Sequence, residues 1–307
     1  MDNNKATTKI YLNKIYNEDC LEGMKRIPDG SVDCILTDPP YLYLKNQELD
    51  RPFDELVFFS ECKRVMKKDG FIVLFGRGTS FYRWNCILAD MGFIFKEEIV
   101  WDKINTTSPL LAIGRKHETI SIHCLGNKSI LRSKIPYDEI RTNDDSKVIG
   151  DAKRIVSYIR NNDIDVLKKE IDNGLIYNRK RTHKTHVSTQ SGFCSCNEAI
   201  SCINSIKNGC NERDIISVLR DHYSAIHPTQ KPVRLIERLL ALISCEGNTI
   251  LDPFSGSAST AIACINTKRN YIGFEIDKEY YDLSVNRIKK YTDENNRFKK
   301  DAETAGA

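Results

Sequence analysis

Three short stretches carry residue types that can do chemistry, and each follows a segment that reads as a strand. The first is Asp38-Pro39-Pro40-Tyr41, after Val32-Asp33-Cys34-Ile35-Leu36-Thr37. Two prolines fix φ and remove two backbone N–H donors. The carbonyls then stand as uncommitted acceptors in a stiff loop between a carboxylate and an aromatic ring. That arrangement suits a planar amino group on a heterocycle. Asp38 and the carbonyl of Pro39 or Pro40 can accept its two hydrogens while Tyr41 stacks on the ring. An exocyclic nitrogen is a poor nucleophile because its lone pair is conjugated, and such acceptors draw it toward tetrahedral geometry. The competing reading is a plain strand-ending turn, since Asp-Pro commonly opens turns.

The second stretch is Asp252-Pro253-Phe254-Ser255-Gly256-Ser257. Gly256 and its small neighbours let a cofactor approach the backbone closely. Neither the Gly-x-Gly-x-x-Gly spacing of dinucleotide binders nor a phosphate-binding Gly-Lys-Ser/Thr is present. A nucleotide without phosphates therefore fits better than NAD or ATP, and S-adenosylmethionine is one. The third is Gly273-Phe274-Glu275-Ile276-Asp277. An acid at a strand end of this kind accepts hydrogen bonds from ribose hydroxyls, and Glu275 is better placed than Asp277. A solvated surface acid is the bland alternative.

These stretches need a sheet to position them, and the 307 residues supply one. Strands are expected at Lys9–Glu18, Ser31–Thr37, Phe71–Phe75, Phe95–Trp101, Glu118–Leu125, Thr249–Asp252 and Tyr271–Phe274. Helices are expected at Cys20–Arg26, Phe53–Lys67, Ser80–Met91, Pro232–Ser244, Ala258–Ile265 and Tyr280–Tyr291. Continuous apolar strands alternating with helices imply an α/β domain with a mostly parallel sheet. The alternation stops at Leu125 and resumes at His227. Between them lies a polar stretch with helical pieces at Ala152–Arg160, Ile164–Ile171, Asn197–Lys207 and Glu212–Arg220. The last two are joined by Asn208-Gly209-Cys210-Asn211 in a helix-turn-helix outline, which plain packing explains as well. The expected organisation is 1–125, an insertion at 126–226, 227–291, and a charged tail at 292–307 read as disordered.

The ordered set Asp-Pro-Pro-Tyr, then His227-Pro228-Thr229-Gln230-Lys231-Pro232, then Asp252-Pro-Phe-Ser-Gly-Ser and Gly-Phe-Glu resembles the beta class of DNA amino-methyltransferases. In that class the catalytic motif precedes the cofactor motif, a circularly permuted order, with target recognition between them. The resemblance implies a Rossmann-like methyltransferase with a seven-stranded sheet. In its numbering the strands from Lys9–Glu18 to Glu118–Leu125 are the third to seventh, and Thr249–Asp252 and Tyr271–Phe274 the first and second. It implies that Asp38 and Tyr41 are catalytic, with Pro39 and Pro40 shaping their loop. Asp252, Phe254, Ser255, Gly256 and Ser257 match the cofactor loop, Glu275 the ribose acid, and Asp19 the acid near the cofactor's adenine. Thr229 and Lys231 match a stretch near the methionine carboxylate. Asp in the first catalytic position resembles adenine-N6 enzymes, whereas Ser is commoner in cytosine-N4 enzymes. Ser257 stands where many relatives carry Gly, and Leu42 follows Tyr41 in place of the frequent Asn. The implied activity is methyl transfer from S-adenosylmethionine to N6 of adenine in double-stranded DNA, the base flipped out of the duplex. Cytosine-N4 methylation, an RNA substrate, and an inactive DNA-binding regulator on the same fold are the alternatives.

The insertion is expected to be a largely helical recognition region. Residues 126–226 hold 17 Lys and Arg against 13 Asp and Glu, a surplus equal to the +4 of the whole chain. Its most suggestive patch, Tyr177 to His186, holds no acid, and Arg179, Lys180, Arg181 and Lys184 suit DNA contacts. A solvated basic loop is the alternative. Cys194, Cys196, Cys202 and Cys210 near His183 and His186 lack the Cys-x-x-Cys pairs of a structural zinc site, so no metal is expected. His117 and Glu118 read as capping or hydrogen-bonding residues. No apolar run approaches the ~20 residues that cross a bilayer. The N-terminus lacks a secretory signal, so a cytoplasmic location is expected, with monomer and homodimer both open.

Overall fold

The computed structural model describes residues 9–41, 51–106, 112–127, 129–132, 134–137, 141, 145–161, 164–165, 195–221 and 225–305. It divides into two compact units, one reaching to Arg132 and resuming at Arg213, the other Ser133–Glu212.

The first unit is built on one eight-stranded sheet. Its strands are β1 (Lys14–Tyr16), β2 (Val32–Thr37), β3 (Met66–Gly76), β4 (Ile94–Asp102), β5 (His117–Cys124), β6 (Ile215–Ser217), β7 (Thr249–Asp252) and β8 (Asn270–Phe274). The order across the sheet is β1-β8-β7-β2-β3-β5-β4-β6. In the numbering implied by the resemblance this reads third, second, first, fourth, fifth, seventh, sixth, plus one added strand. Among the described strands only β5 runs against its neighbours. From β7 the chain steps outward to β8, and from β2 it steps the other way to β3. The topological switch point therefore lies between β2 and β7, where ligands bind in open α/β sheets.

Helices α1 (Cys20–Met24), α2 (Glu55–Val65) and α3 (Gly78–Asp90) share a core cluster in which Met24, Phe58, Phe59, Cys62, Trp84 and Leu88 are buried with Ile35, Ile72 and Leu74 of the sheet. Alternate residues of β2 face the other way, and the Cys34 thiol donates to the Ile243 carbonyl at 3.1 Å. That carbonyl ends the helix Val233–Ile243, whose apolar stripe Leu235, Ile236, Leu239, Leu240 and Ile243 is buried. The small-residue helix Ser259–Asn266 packs beside it.

Four expectations about elements change. The eighth strand, β6, lies where a helix over Glu212–Arg220 was expected. Its β-branched Ile215-Ile216 pairs in parallel with Val100 and Trp101 of β4, and a ladder of tertiary origin overrides local helical spacing. With it the helix-turn-helix outline disappears. The expected helix over Phe53–Lys67 ends at Val65, and β3 starts at Met66. A register shift lets Val32 pair with Met66 and Cys34 with Phe71, while the loop-out Lys67 bonds Asp33 at 2.7 Å. The expected strand Lys9–Glu18 is ladder-paired only at Lys14–Tyr16. Finally, the segment expected to be a disordered tail continues the last helix, Lys278–Ala305.

The second unit holds α4 (Asp145–Asn161) and α5 (Ser195–Asn208). Asp151, buried on α4, accepts from Tyr137 Oη at 2.9 Å, Arg154 Nη1 at 2.7 Å and the Cys202 thiol of α5 at 3.3 Å. Gly209 follows α5 at φ +77°, and a Cβ there would lie 2.6 Å from the Ile135 carbonyl oxygen. Only glycine admits the Ile135–Cys210 bridge that closes the unit. The unit's limits differ from the expected 126–226. Arg132 N donates to the Leu242 carbonyl, and β6 belongs to the sheet, so both flanks fall to the first unit. Of the helix expected at Ile164–Ile171, Ile164 and Asp165 are helical and the rest lies outside the described residues. The remaining helices of the first unit are named α6 (Val233–Ile243), α7 (Ser259–Asn266) and α8 (Lys278–Ala305).

Candidate active site

The carboxyl ends of β2, β7 and β8 open into one cavity of about 400 Å³. Asp38, Pro39, Pro40 and Tyr41 line it, as do Asp19, Thr229, Lys231, Asp252, Phe254, Ser255, Gly256, Ser257 and Glu275. The volume is within the ~300–1,000 Å³ usual for small-molecule sites. The sequence thus places every expected catalytic and cofactor residue around one space. The expected DNA contacts Arg179, Lys180, Arg181 and Lys184 lie outside the described residues, together with His183, His186 and Cys194.

One wall carries the Asp-Pro-Pro-Tyr loop. Tyr41 Oη donates to Asp38 Oδ1 at 2.5 Å, and Ser80 Oγ of α3 donates to the Tyr41 carbonyl at 2.7 Å. The Tyr41 ring lies 6.1 Å from that of buried Trp84. These contacts fix the loop that the two prolines stiffen. The other oxygen of Asp38, Oδ2, accepts a short hydrogen bond from Lys231 Nζ. Lys231 Nζ also sits 3.4 Å from Glu118 Oε2, and Glu118 Oε1 pairs with Lys103 Nζ at 2.5 Å. Burial pushes Asp38 above the usual carboxylate range, with Lys231 opposing it. Burial also disfavours the Lys231 ammonium, but Asp38 and Glu118 outweigh it and its pKa rises. Lys231, expected near the cofactor's carboxylate, lines the cavity, and its ammonium engages Asp38 and Glu118.

The facing wall is of a different kind. Glu275 Oε2 accepts from Gly256 N at 2.8 Å, and Oε1 from Asp277 N at 2.9 Å. Asp252 accepts from Phe254 N at 3.3 Å, and Asp19 caps α1 by accepting from Leu21 N at 2.7 Å. Among the described residues, none of these three carboxylates has a lysine or arginine ion pair. Burial pushes Asp252 up to about 7 and raises Glu275 as well. Such a wall favours a ligand with positive charge. Gly256 sits at φ +47°, and the nearest atom to a Cβ there is His227 Nε2 at 3.7 Å, so the backbone is open to the cavity. Phe254 packs on Phe53 and Phe58 at 5.4 and 5.3 Å, which holds the loop against the α2 face. Ser255 N donates to the Phe274 carbonyl, and Arg287 Nη1 to the Ser257 carbonyl at 2.7 Å. Thr229 is exposed at the rim and bonds His227 Nδ1 through its hydroxyl at 3.0 Å.

Sequence reasoning missed the role of Lys103 and gave Glu118 only a generic one. Both are charged residues at the cavity end of strands β4 and β5, and that placement was the available signal. Burial lowers the Lys103 pKa against the pull of Glu118. Among the described residues no cluster of His, Cys, Asp and Glu is arranged to hold a metal ion. No described helix is long and apolar enough to cross a membrane.

Comparison with known proteins agrees with this geometry. The type II methyltransferase M.BglII of Bacillus subtilis is 27% identical over 94% of this chain and 72% of its own length. M.HinfI of Haemophilus influenzae is 23% identical over 93% of this chain and 71% of its own. Among solved structures, the M1.HpyAVI–SAM complex superposes with a TM-score of 0.52 at 19% identity, covering 89% of this chain and 98% of that one. The cytosine-N4-specific PvuII DNA methyltransferase gives 0.58 at 15%, covering 94% and 93%. At these identities the structural likeness speaks for the fold alone. The DNA methylase family of N6 and N4 type matches residues 32–286, most of the chain. The chain therefore belongs to the N6/N4 DNA methylase family, whose methyl donor is S-adenosylmethionine.

Proposed function

We propose that this enzyme methylates N6 of adenine at a specific site in double-stranded DNA, on a base everted from the duplex. The observation that carries this reading is the single cavity at the β2/β7 switch point. One wall presents Asp38 and Tyr41, and the other presents Gly256 and Glu275. An amino group held at the first wall faces a donor held at the second. Asp in the first catalytic position, where Ser is commoner in cytosine-N4 enzymes, favours adenine.

The residues fit S-adenosylmethionine. Glu275 keeps lone pairs for two ribose hydroxyls after accepting from Gly256 and Asp277, Asp19 stands near the adenine, and the unpaired carboxylates suit a cation. When bound, S-adenosylmethionine supplies an electrophilic methyl group on a positively charged sulfur. Asp38 accepts one amino hydrogen and orients the nitrogen, a backbone carbonyl of Pro39 or Pro40 accepts the other, and Tyr41 supports the ring. In-line approach of two held groups needs no covalent enzyme intermediate. The base is reached by eversion, since its amino group is inaccessible inside a duplex.

Residues 133–212 are the candidate for target recognition, with Arg179, Lys180, Arg181 and Lys184 as its basic contacts. Substitution of Arg179, Lys180 and Arg181 together by alanine is expected to weaken DNA binding and flatten its salt dependence, by about one unit of slope per lost phosphate contact. A relationship to type II methyltransferases favours a cytoplasmic enzyme of a restriction–modification pair. Expression in a methylation-free bacterium, followed by nucleoside analysis and modification-sensitive sequencing, tests the reading. N6-methyladenine in one sequence context is expected. N4-methylcytosine would overturn the choice of base, and unmodified DNA the activity.

A further inference from the structure

The cavity wall beneath Asp38 contains more charge than holding a base requires. Four groups alternate in sign: Asp38, Lys231, Glu118 and Lys103. They come from the β2 loop, the segment before α6, the start of β5 and the end of β4. Their side chains are 21%, 9%, 14% and 7% exposed, so the chain of ions is largely withdrawn from water. Burying four charges is costly unless each is paired, and here each inner member has two partners of opposite sign. The lysines also rest on rings: Lys231 Nζ lies 5.1 Å from the Phe75 centroid and Lys103 Nζ 5.2 Å from that of Trp101. Lys231 Nζ thus sits between two carboxylates, bonded closely to Asp38 and 3.4 Å from Glu118. Glu118 Oε2 is buried and makes no hydrogen bond in this state, so it holds acceptor capacity in reserve.

We propose that Lys231, backed by Glu118 and Lys103, is a positioning residue of the transfer reaction. It holds Asp38 ionised and aimed while the amino group is bound, and turns to Glu118 once Asp38 has taken the proton. This rests on the reading of Asp38 as the acceptor beside the amine. The balance is simple. The nitrogen lone pair forms the new N–C bond, the electron pair of the broken C–S bond stays on sulfur, and one N–H proton must leave. When Asp38 takes it, the carboxylate becomes neutral and Lys231 loses its closer ionic partner. The second carboxylate, already within 3.4 Å, keeps the ammonium paired, so no buried charge is stranded at any point. Lys103 then holds Glu118 in place from its far side.

Opposite shifts in pH dependence separate this role from a merely structural one. Asp38 faces Lys231, Glu118, Tyr41 and Asp252; Lys231 faces Asp38, Glu118, Lys103 and His227; Lys103 also faces Arg220. Lys231 lowers the Asp38 pKa, whereas Glu118 raises it. The experiment measures the single-turnover transfer rate against pH, with cofactor affinity by calorimetry, in wild type, Lys231→Met, Lys231→Arg and Glu118→Gln. Lys231→Met is expected to slow transfer about 100-fold near pH 7 and move the acid limb of the profile upward. Cofactor affinity should change less than about threefold, within the cost of one weak contact. Lys231→Arg, which keeps the charge, should recover much of the rate. Glu118→Gln should move the limb downward. Limbs that stay put, shifts in one direction, or lost cofactor affinity with an unmoved profile would each overturn the proposal. If Lys231→Met does not fold, Lys231→Arg and Glu118→Gln still decide: Glu118→Gln leaving the wild-type limb unmoved refutes it. The wild-type product is identified in the same assay. An unexpected methylated base would fault the adenine reading alone, while the pH limbs judge Lys231.

Discussion

The two walls of the cavity are built from the same raw material, carboxylates at strand ends, yet they treat it in opposite ways. On the β2 side Asp38 and Glu118 are neutralised by Lys231 and Lys103 within the protein. On the β7–β8 side Asp252, Glu275 and Asp19 accept from backbone N–H groups and, among the described residues, have no lysine or arginine partner. Backbone donors fix a carboxylate's position without cancelling its charge, whereas a lysine cancels it. Under the proposed function the first wall handles a neutral amine and a proton, and the second holds a cation. A site's electrostatic purpose is thus read from what its acids are paired with, and their number says little.

If that contrast is right, damage to the first wall should appear in rate and damage to the second in affinity. Asp38→Ala carries the largest expected effect: transfer falls by about 10³-fold or more, as expected for loss of a positioned proton acceptor. Cofactor binding by calorimetry stays within a few-fold. Loss of both together would erase the distinction. Glu275→Ala is next, with the cofactor dissociation constant rising about 30-fold through lost hydrogen bonds to a charged group. The single-turnover rate at saturating cofactor is expected to change much less.

Gly256→Ala tests the open backbone. Its side chain meets only ordinary contacts, but φ +47° costs an L-residue about 1 kcal/mol. A lowered melting temperature with a few-fold weaker cofactor binding is expected. Asp252→Asn sharpens the picture of the negative wall. Burial raises this carboxyl from 3.8 to about 7 in the folded protein. Between those values the folded state keeps a proton that the unfolded chain has released, so stability falls as pH rises through the window and stays reduced above it. The Asn variant should therefore melt a few degrees higher than wild type near pH 8 and gain almost nothing near pH 4. An equal gain at both would remove the buried charge from the account.

The same contrast explains what was legible in the sequence. A strand such as Phe71–Phe75 announced itself because a strand buried on both faces must be apolar throughout. The stiff Asp38-Pro39-Pro40-Tyr41 loop and the Gly256 turn were legible because their shape depends on local backbone chemistry. The pairing of Lys231 with Asp38 was not legible because the partner stands 193 residues earlier, and no local pattern encodes that contact. Lys103 went unnoticed for the same reason, and Glu118 was legible only as a capping or hydrogen-bonding residue, without its partners Lys103 and Lys231. The three-residue β6 escaped because only its pairing with β4 makes Ile215-Ile216-Ser217 a strand. The charged stretch after Thr292 was read from composition, whereas a helix already started at Lys278 propagates cheaply through it.

The neighbours at the switch point also set an order of events during synthesis. β2 is synthesised well before its partner β7, which follows more than two hundred residues later. Until then one edge of β2 stays open, an invitation to wrong partners that early chains must survive. A product ended before β7 would carry the Asp38 loop on a sheet that lacks the Gly256 side of the cavity. β7 closes that seam against β2, and β8 pairs on its far side.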